Sequence, residues 1–325
     1  IPYTASVYNG LSKLFAIAFD IPYEICVIVM AALTGVYVIL GGYMASSMND
    51  FIQGMIMLIG IVAVIVSVIS GQGGFTEAYR KLAGVEGDFP GAYASFFGPD
   101  PAGLLSVFIL TSLGTWGLPQ MVGKFYAIKD EKSIKTGTIV STFFAFIIGG
   151  GSYFLGGFGR LFGSQNATFL STAADGSVAV AYDGIVPYML QTSLSDVLIG
   201  VVVVLVLSAS MSTLSALVLT SSSTLTLDFL KDNIVKNMDQ KKQLLIMRIM
   251  IVFFIVISVV IAMNPPAFIA QLMGISWGAL AGAFLAPFLY GLYWKKVTVP
   301  AVWASFICGV GITVSNLFIG FTNAI

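Results

Sequence analysis

Apolar positions fall in blocks long enough to cross a bilayer, with polar residues gathered between them. A helix needs about 20 apolar residues to span a membrane. The pattern predicts about nine spans, the first one partial, at residues 4–19, 22–43, 48–70, 102–126, 134–160, 193–226, 243–264, 268–293 and 298–321. The connections 71–101 and 161–192 are long and mix glycine with charged and aromatic residues, so we expect short surface helices in them. The chain is predicted to be an all-α, polytopic membrane protein.

The basic residues predict the orientation. Eleven of the fifteen lie in three connections, within 124–135, 231–248 and 295–296. The positive-inside rule places these in the cytoplasm and the two long connections outside. The composition agrees, because 58% of residues are hydrophobic and only 9% are charged, against about 25% charged in soluble domains. We expect a multi-pass protein of the cell membrane, in bacteria the inner membrane.

Several classes of function are excluded or disfavoured by what the sequence lacks. Without any histidine, histidine-based catalysis and histidine metal sites are excluded. The net charge is zero and the sequence has no basic patch for nucleic acid. No carboxylate pair lies within a span and no acyl-transfer elbow is present, which argues against an intramembrane enzyme. The chain starts with isoleucine and ends in FTNAI, so we expect it to be a piece of a longer protein.

Residues 208–226 carry eleven hydroxyl side chains in nineteen positions, directly after the apolar run 197–207. Lipid offers hydroxyl groups no partners, whereas a hard cation such as sodium prefers oxygen ligands. Ala209, Ser212 and Thr213 share one helix face. The Ala209 carbonyl would join the two hydroxyls around an ion if a neighbouring distortion freed it. Close helix packing is the alternative, and it is the commoner role of such residues in membranes.

A second candidate site is the interrupted span in 113–128, LGTWGLPQMVGKFYAI. Two glycines and Pro119 break the helix where Thr115, Trp116 and Gln120 supply polar groups. Transporters bind their solutes at such breaks, where backbone groups are freed. A simple kink is the alternative, since glycine and proline are common in membrane helices.

Two further polar residues lie at span ends. Asp50 stands at the predicted junction of two spans, where a carboxylate would attract a cation leaving the bundle. A solvated helix N-terminus is the alternative for this aspartate. Gln271 is a lone polar group near a span start, and either a solute contact or a helix interface would explain it.

Four segments resemble the sodium:solute symporter family, in order along essentially the whole chain: GGYMASSMNDFIQGMIM, GLPQMVGKFYAIKDEKSIK, SASMSTLSALVLTSSSTLTLDFLK and LAPFLYGLYWKKVTVPA. The resemblance implies a LeuT-like helical bundle of two inverted repeats that works by alternating access. Residues 1–70 would end the first repeat, 71–101 would be an extracellular loop, 102–293 the second repeat and 298–325 a peripheral transmembrane helix. The implied function is sodium-coupled symport of a small organic solute, such as a carboxylate or an amino acid. Sodium would be co-transported without an organic cofactor, and the partners would be the solute, sodium and the lipid bilayer.

Residue by residue, the resemblance implies that Ala209, Ser212 and Thr213 bind sodium. It also assigns Asp50 and Ser215 to a second sodium site or to sodium exit. The neighbouring Ala216 has no hydroxyl, which departs from the two-sodium pattern. The family's broken first core helix, which supplies two further sodium ligands, has no counterpart here, so this chain alone is not expected to transport.

The candidate solute contacts are Thr111, Thr115, Trp116, Gln120 and Gln271. The two threonines stand where the proline symporters carry a tryptophan and a tyrosine, which argues against proline as the solute. An alternative function is a symporter-like sensor domain of a signalling protein. The region of a longer chain after residue 325 would discriminate the two, because a kinase core favours sensing and one further span favours transport.

Overall fold

The computed structural model describes residues 1–126, 128–163, 169–172, 178–235, 238–265 and 268–319. Helices dominate these residues, as predicted. The α-helices are α1 Pro2–Phe19, α2 Tyr23–Gly71, α3 Phe75–Ala83, α4 Pro101–Ser112, α5 Pro119–Phe125, α6 Glu131–Phe158, α7 Arg160–Gly163, α8 Tyr182–Ser193, α9 Asp196–Ser223, α10 Gln240–Met263, α11 Ile269–Tyr293 and α12 Val299–Ile319. Two 3-10 turns, Ala92–Ala94 and Gly114–Gly117, and a π-helical segment, Thr224–Ile234, complete the helical part.

The long outer connections contain more than the predicted surface helices. The first holds α3 and a 3-10 turn, and the second holds α7 and α8. The second also contains an antiparallel hairpin, in which β1 Leu170–Thr172 pairs with β2 Val178–Val180. The all-α prediction therefore holds for the membrane helices but missed this short hairpin, whose three-residue strands are too brief to leave a periodic pattern.

Fewer helices than the predicted nine spans are apolar enough by themselves to cross a membrane. Within the described residues, seven helices are long and apolar enough to cross a membrane, or eight if the bent pair formed by 101–117 and 119–125 is one span. Helix α1, predicted as a partial span, is not among them because it carries Lys13 and the fully buried Asn9 and Ser12. Helix α1 packs among α2, α9, α10 and α11, and Asn9 Oδ1 accepts a hydrogen bond from the Tyr23 hydroxyl at 3.2 Å.

The backbone of α2 stays helical across the junction predicted at residues 43–48, but α2 is not straight. Thr34 Oγ1 lies 3.5 Å from Met211 Sδ, while Gly60 packs against Leu205. In a straight helix Thr34 and Gly60 would be about 39 Å apart, but their contact residues Met211 and Leu205 are only about 9 Å apart along α9. The part of α2 between Thr34 and Gly60 must therefore bend. Two separate apolar spans, Tyr23–Gly41 and Asp50–Gly71, thus lie side by side against α9.

Two hydrophobic clusters hold the bundle together, and α1, α2 and α9 contribute to both. The larger joins these helices to α10 through residues such as Tyr8, Val27, Leu214 and Ile255. The second joins the later half of α2 to α1, α6, α8 and α9. Polar contacts add to the first cluster, since the Tyr23 hydroxyl lies 2.7 Å from the Ala262 carbonyl oxygen.

The span between residues 101 and 125 is broken, as predicted. Asp100 caps α4 by accepting a hydrogen bond from the Gly103 N–H at 2.9 Å, and the two parts of the span meet at 50°. Gly117 lies at the break against α11, where an added Cβ would stand 2.7 Å from the Leu285 backbone nitrogen. The break therefore depends on a residue without a side chain at this contact.

Candidate functional site

A cavity of about 650 Å³ opens between α1, α8, α9 and α11. Two of the three predicted sodium ligands, Ala209 and Thr213, line it. Ala209 lies thirteen residues into α9, about 20 Å along the helix from the end that is predicted to lie outside. The cavity therefore leads from the predicted outer side to the hydroxyl-rich part of α9.

The outer rim of the cavity is built around Asp183, in the first turn of α8. Its carboxylate pairs with Lys13 Nζ of α1 at 2.8 Å and accepts hydrogen bonds from the Ile269 N–H at 3.0 and 3.3 Å. The Ile269 N–H opens α11, where a carboxylate is favourable to the helix dipole. Asp183 thus ties three elements of the cavity wall together at one point.

Of the three residues predicted to bind sodium, Ala209 and Thr213 lie together on the cavity wall, whereas Ser212 does not. The Thr213 hydroxyl donates to the Ala209 carbonyl at 3.0 Å, so these two oxygens lie side by side. Around this carbonyl α9 is regular, since it stays α-helical to Ser223 and becomes π-helical only afterwards. A threonine hydroxyl bonded to the carbonyl four residues earlier is a regular helix pattern. Ser212 lies about 100° around the helix from Thr213 and does not line the cavity.

Ser215 and Asp50 form the second group of predicted ion residues. The buried Ser215 hydroxyl donates to the Ser212 carbonyl at 2.9 Å. Asp50 begins the second apolar span of α2, and its side chain is partly buried. Its Oδ1 atom is buried without a hydrogen-bond partner among the described residues. An unpaired buried carboxylate oxygen is unfavourable in a protein interior, which favours a role beyond stability.

Gln53 was not predicted as a site residue from the sequence. Its side chain is buried, and its Oε1 has no hydrogen-bond partner in the described part of the chain. It lies three residues after Asp50, so the two side chains share a helix face. That spacing was the signal in the sequence that would have found it.

The predicted solute contacts do not line the cavity. The hydroxyls of Thr111 and Thr115 donate to carbonyls of their own helical turns, at 2.8 Å and 2.9 Å. Trp116 is 54% exposed. Gln120, directly after the break, has a buried Nε2 without an acceptor among the described residues. Of these four side chains, Gln120 alone has a buried donor left for a ligand.

Gln271 lies in the first turn of α11, close to the rim residue Ile269, and its side chain is partly buried. An aromatic residue on the same helix, Trp277, was not predicted as a site residue. Its ring meets the cavity-lining Tyr3 edge to face at 5.5 Å, and its buried Nε1–H has no acceptor in the described residues. Nothing near Trp277 in the sequence signals this, because Tyr3 lies at the other end of the chain.

The chain was compared with known proteins. The profile of the sodium:solute symporter family matches residues 2–309. The chain belongs to this family. Sodium:solute symporters are transporters, so the prediction that the protein is not an enzyme is confirmed.

Two relatives illustrate the similarity. The sodium/pantothenate symporter of Haemophilus influenzae is 28% identical over 307 residues, which are 94% of this chain and 60% of that protein. The sodium/proline symporter of Staphylococcus aureus is 29% identical over 316 residues, covering 91% of this chain and 56% of that protein. The chain therefore spans about 60% of the length of the curated relatives it matches.

The fold is also found in a solved structure, that of a Na⁺-coupled sialic acid symporter in a substrate-bound, outward-open state. The TM-score is 0.64 at 16% identity, and the match covers 98% of this chain and 74% of that one. The predicted LeuT-like helical fold is thereby confirmed.

Proposed function

We propose that the full-length protein is a secondary active transporter that couples sodium entry to the uptake of a small organic solute. The membership of the sodium:solute symporter family carries this proposal, and relatives named for sodium-coupled transport of pantothenate and proline support it. Sodium binding would favour one conformation and raise the affinity for the solute, and the solute would raise the affinity for sodium equally, because coupling between binding sites is reciprocal.

We infer that sodium binds at Ala209, Ser212 and Thr213. The adjacency of the Ala209 carbonyl and the Thr213 hydroxyl on the cavity wall supports this, since both are hard oxygen ligands. The Ser212 hydroxyl would join them after a rotation or distortion of α9. The π-helical segment directly after α9 supports such a change, because π-bulges are frequent at functional sites.

Asp50, with Gln53 beside it and Ser215 on α9, is proposed to attract sodium on its way to the cytoplasm. The support is the buried, unpartnered oxygen on each of the two α2 side chains. A passing cation would satisfy both oxygens, and a carboxylate inside a membrane bundle is a functional group by default.

The solute is proposed to be a carboxylate, an amino acid or a similar small molecule, bound beside the interrupted span. Candidate contacts are Thr111, Thr115, Trp116, Gln120 and Gln271. The unpartnered amide of Gln120 supports this choice, because a buried donor without an acceptor is expensive and a solute oxygen would satisfy it. Alternating access would then rest on two inverted repeats, with 1–70 as the end of the first and 102–293 as the second.

The test is the sodium dependence of uptake by the full-length protein carrying Ser212→Ala and Thr213→Ala. Loss of an interaction with a charged partner costs about 1.5–3 kcal/mol, so the sodium concentration for half-maximal uptake should rise at least about ten-fold. Ser221→Ala removes a hydroxyl further along the same helix and should leave the sodium dependence as in the wild type. An unchanged sodium dependence in the double variant would refute the site.

A further inference from the structure

Helices α11 and α12 form a tightly packed hairpin. Gly282 and Gly309 meet backbone to backbone, and a side chain on either would collide with the other. The Ser305 hydroxyl lies 3.2 Å from the Gly282 carbonyl oxygen and 3.1 Å from that of Ala283. The rings of Phe284 and Phe306 pack edge to face at 4.8 Å. These contacts fix the separation of the two helices near the middle of the hairpin.

Towards the connection between the helices, the hairpin encloses a crevice of about 210 Å³. Its wall includes Pro287, Val297 and Val302 together with the paired rings of Tyr290 and Trp294, whose centroids lie 5.7 Å apart. Tyr290 and Trp294 are more than half exposed, as aromatic residues at a membrane interface are. The crevice is therefore a preformed apolar slot that opens to the surroundings of the protein.

The charged side chains at the crevice are positive. Lys296 contributes to its wall, the neighbouring Lys295 is exposed, and the residues that line it include no carboxylate. Neither lysine forms an ion pair among the described residues. The positive-inside rule places this connection on the cytoplasmic side, where the leaflet carries anionic lipids that attract basic groups near the membrane.

We propose that this crevice binds an anionic glycerophospholipid of the cytoplasmic leaflet. An acyl chain lies in the slot between Pro287, Val302 and the two aromatic rings, and the phosphate lies within reach of Lys296 Nζ. The combination of an apolar slot, interfacial aromatic residues and unpaired lysines matches each part of such a lipid. Basic pockets on the cytoplasmic side of transmembrane helices bind anionic head groups by the same chemistry.

The proposal is tested on the full-length protein, by native mass spectrometry after exchange with phosphatidylglycerol or phosphatidylcholine. One basic residue near the surface contributes about 1 kcal/mol to anionic-lipid binding, or about five-fold in affinity. Lys295→Gln with Lys296→Gln should therefore weaken phosphatidylglycerol binding about 25-fold. The control pair, Lys241→Gln with Lys242→Gln, removes the same charge from exposed positions at the start of α10 and should leave this binding as in the wild type.

A second variant tests whether an acyl chain binds in the apolar slot, without changing the charge of the protein. Val302→Trp fills the crevice and should weaken binding of phosphatidylglycerol while the lysines remain. Equal binding of phosphatidylcholine and phosphatidylglycerol, an equal loss in both lysine pairs, or no effect of Val302→Trp would each overturn the proposal. So would a cross-link from a photoreactive residue at 302 to another span of the full-length chain instead of to lipid, because the crevice would then be a helix interface.

Discussion

The carboxylate of Asp183 should control how easily the outer rim of the cavity opens. It joins α8 to Lys13 on α1 and to the first N–H of α11. Replacing Asp183 by alanine removes both links, while Asp183→Asn keeps an oxygen for the Ile269 N–H and removes only the charge. The three elements that wall the outer end of the cavity would then be held by apolar contacts, such as the one between the rings of Tyr182 and Phe268.

The effect of these substitutions on the free energy of rim opening depends on how deeply the interacting side chains are buried. The Asp183 side chain is 10% exposed, whereas that of Lys13 is 31% exposed. A hydrogen bond to a charged acceptor is worth about 1.5–3 kcal/mol, and a partly exposed ion pair is worth about 1 kcal/mol or less. Asp183→Ala should therefore favour the open rim by about 2 kcal/mol, which is about 30-fold in the opening equilibrium. Asp183→Asn should favour it by about 1 kcal/mol, or about five-fold.

The assay is labelling of a cysteine placed in the cavity at Met273, with Cys26 and Cys308 replaced by serine and a membrane-impermeant maleimide added from outside. The labelling rate should rise about 30-fold with Asp183→Ala, in proportion to the population of the open rim. Asp88 is exposed in the outer connection 71–101, and Asp88→Ala is the matched control that should leave the rate unchanged.

A labelling rate within two-fold of the wild type in the Asp183→Ala protein would refute the reasoning. The ion pair between Lys13 and Asp183 is tested separately by a double-mutant cycle that combines Lys13→Met with Asp183→Ala. The free-energy effects of substituting two residues in contact do not simply add. Fully additive effects would show that Lys13 and Asp183 act independently.

Three other predictions concern the broken span, the ion path and a helix cap. Gly117→Ala should lower the melting temperature of the protein, because its Cβ would meet the Leu285 backbone at 2.7–2.9 Å and overpacking costs about 1–3 kcal/mol; Gly123→Ala, which meets nothing within 4 Å, should not. Asp50→Asn should slow the maximal rate of uptake more than it weakens solute binding, and an equal loss in both would indicate a structural role. The hydrogen bond from Ser133 lowers the pKa of Asp130 in the folded protein, so the ionised Asp130 stabilises α6 at pH values above the pKa that this carboxyl has in the unfolded chain. The difference in melting temperature between the wild type and Asp130→Ala should therefore disappear as the pH falls below about 4.

Features with local causes could be predicted from the sequence. The apolar blocks indicated most spans because burial in lipid depends on residues adjacent in the chain. The break at Pro119 was predictable because proline cannot complete the helix hydrogen bonds. Ala209 and Thr213 were expected on one face because helix periodicity sets it, and their oxygens indeed lie 3.0 Å apart.

Features with distant causes could not be predicted. The partners Lys13 and Asp183 are separated by 170 residues, and nothing local to either indicates the other. The Ala209 carbonyl stays in a regular helix pattern, in which it accepts a hydrogen bond from the Thr213 hydroxyl. The contacts of α1, predicted as a partial span at 4–19, are with α2, α9, α10 and α11, which lie far from it in the sequence or follow it across a turn.

Uptake by the full-length protein in proteoliposomes, with and without an inward sodium gradient, tests the central claim most directly. The panel should include amino acids, monocarboxylates, pantothenate and sugars, with a sodium ionophore to collapse the gradient. The account predicts that one class of solute accumulates only while the gradient persists. Uptake that is indifferent to sodium, or no uptake of any class, would contradict sodium-coupled symport and would favour a sensor domain.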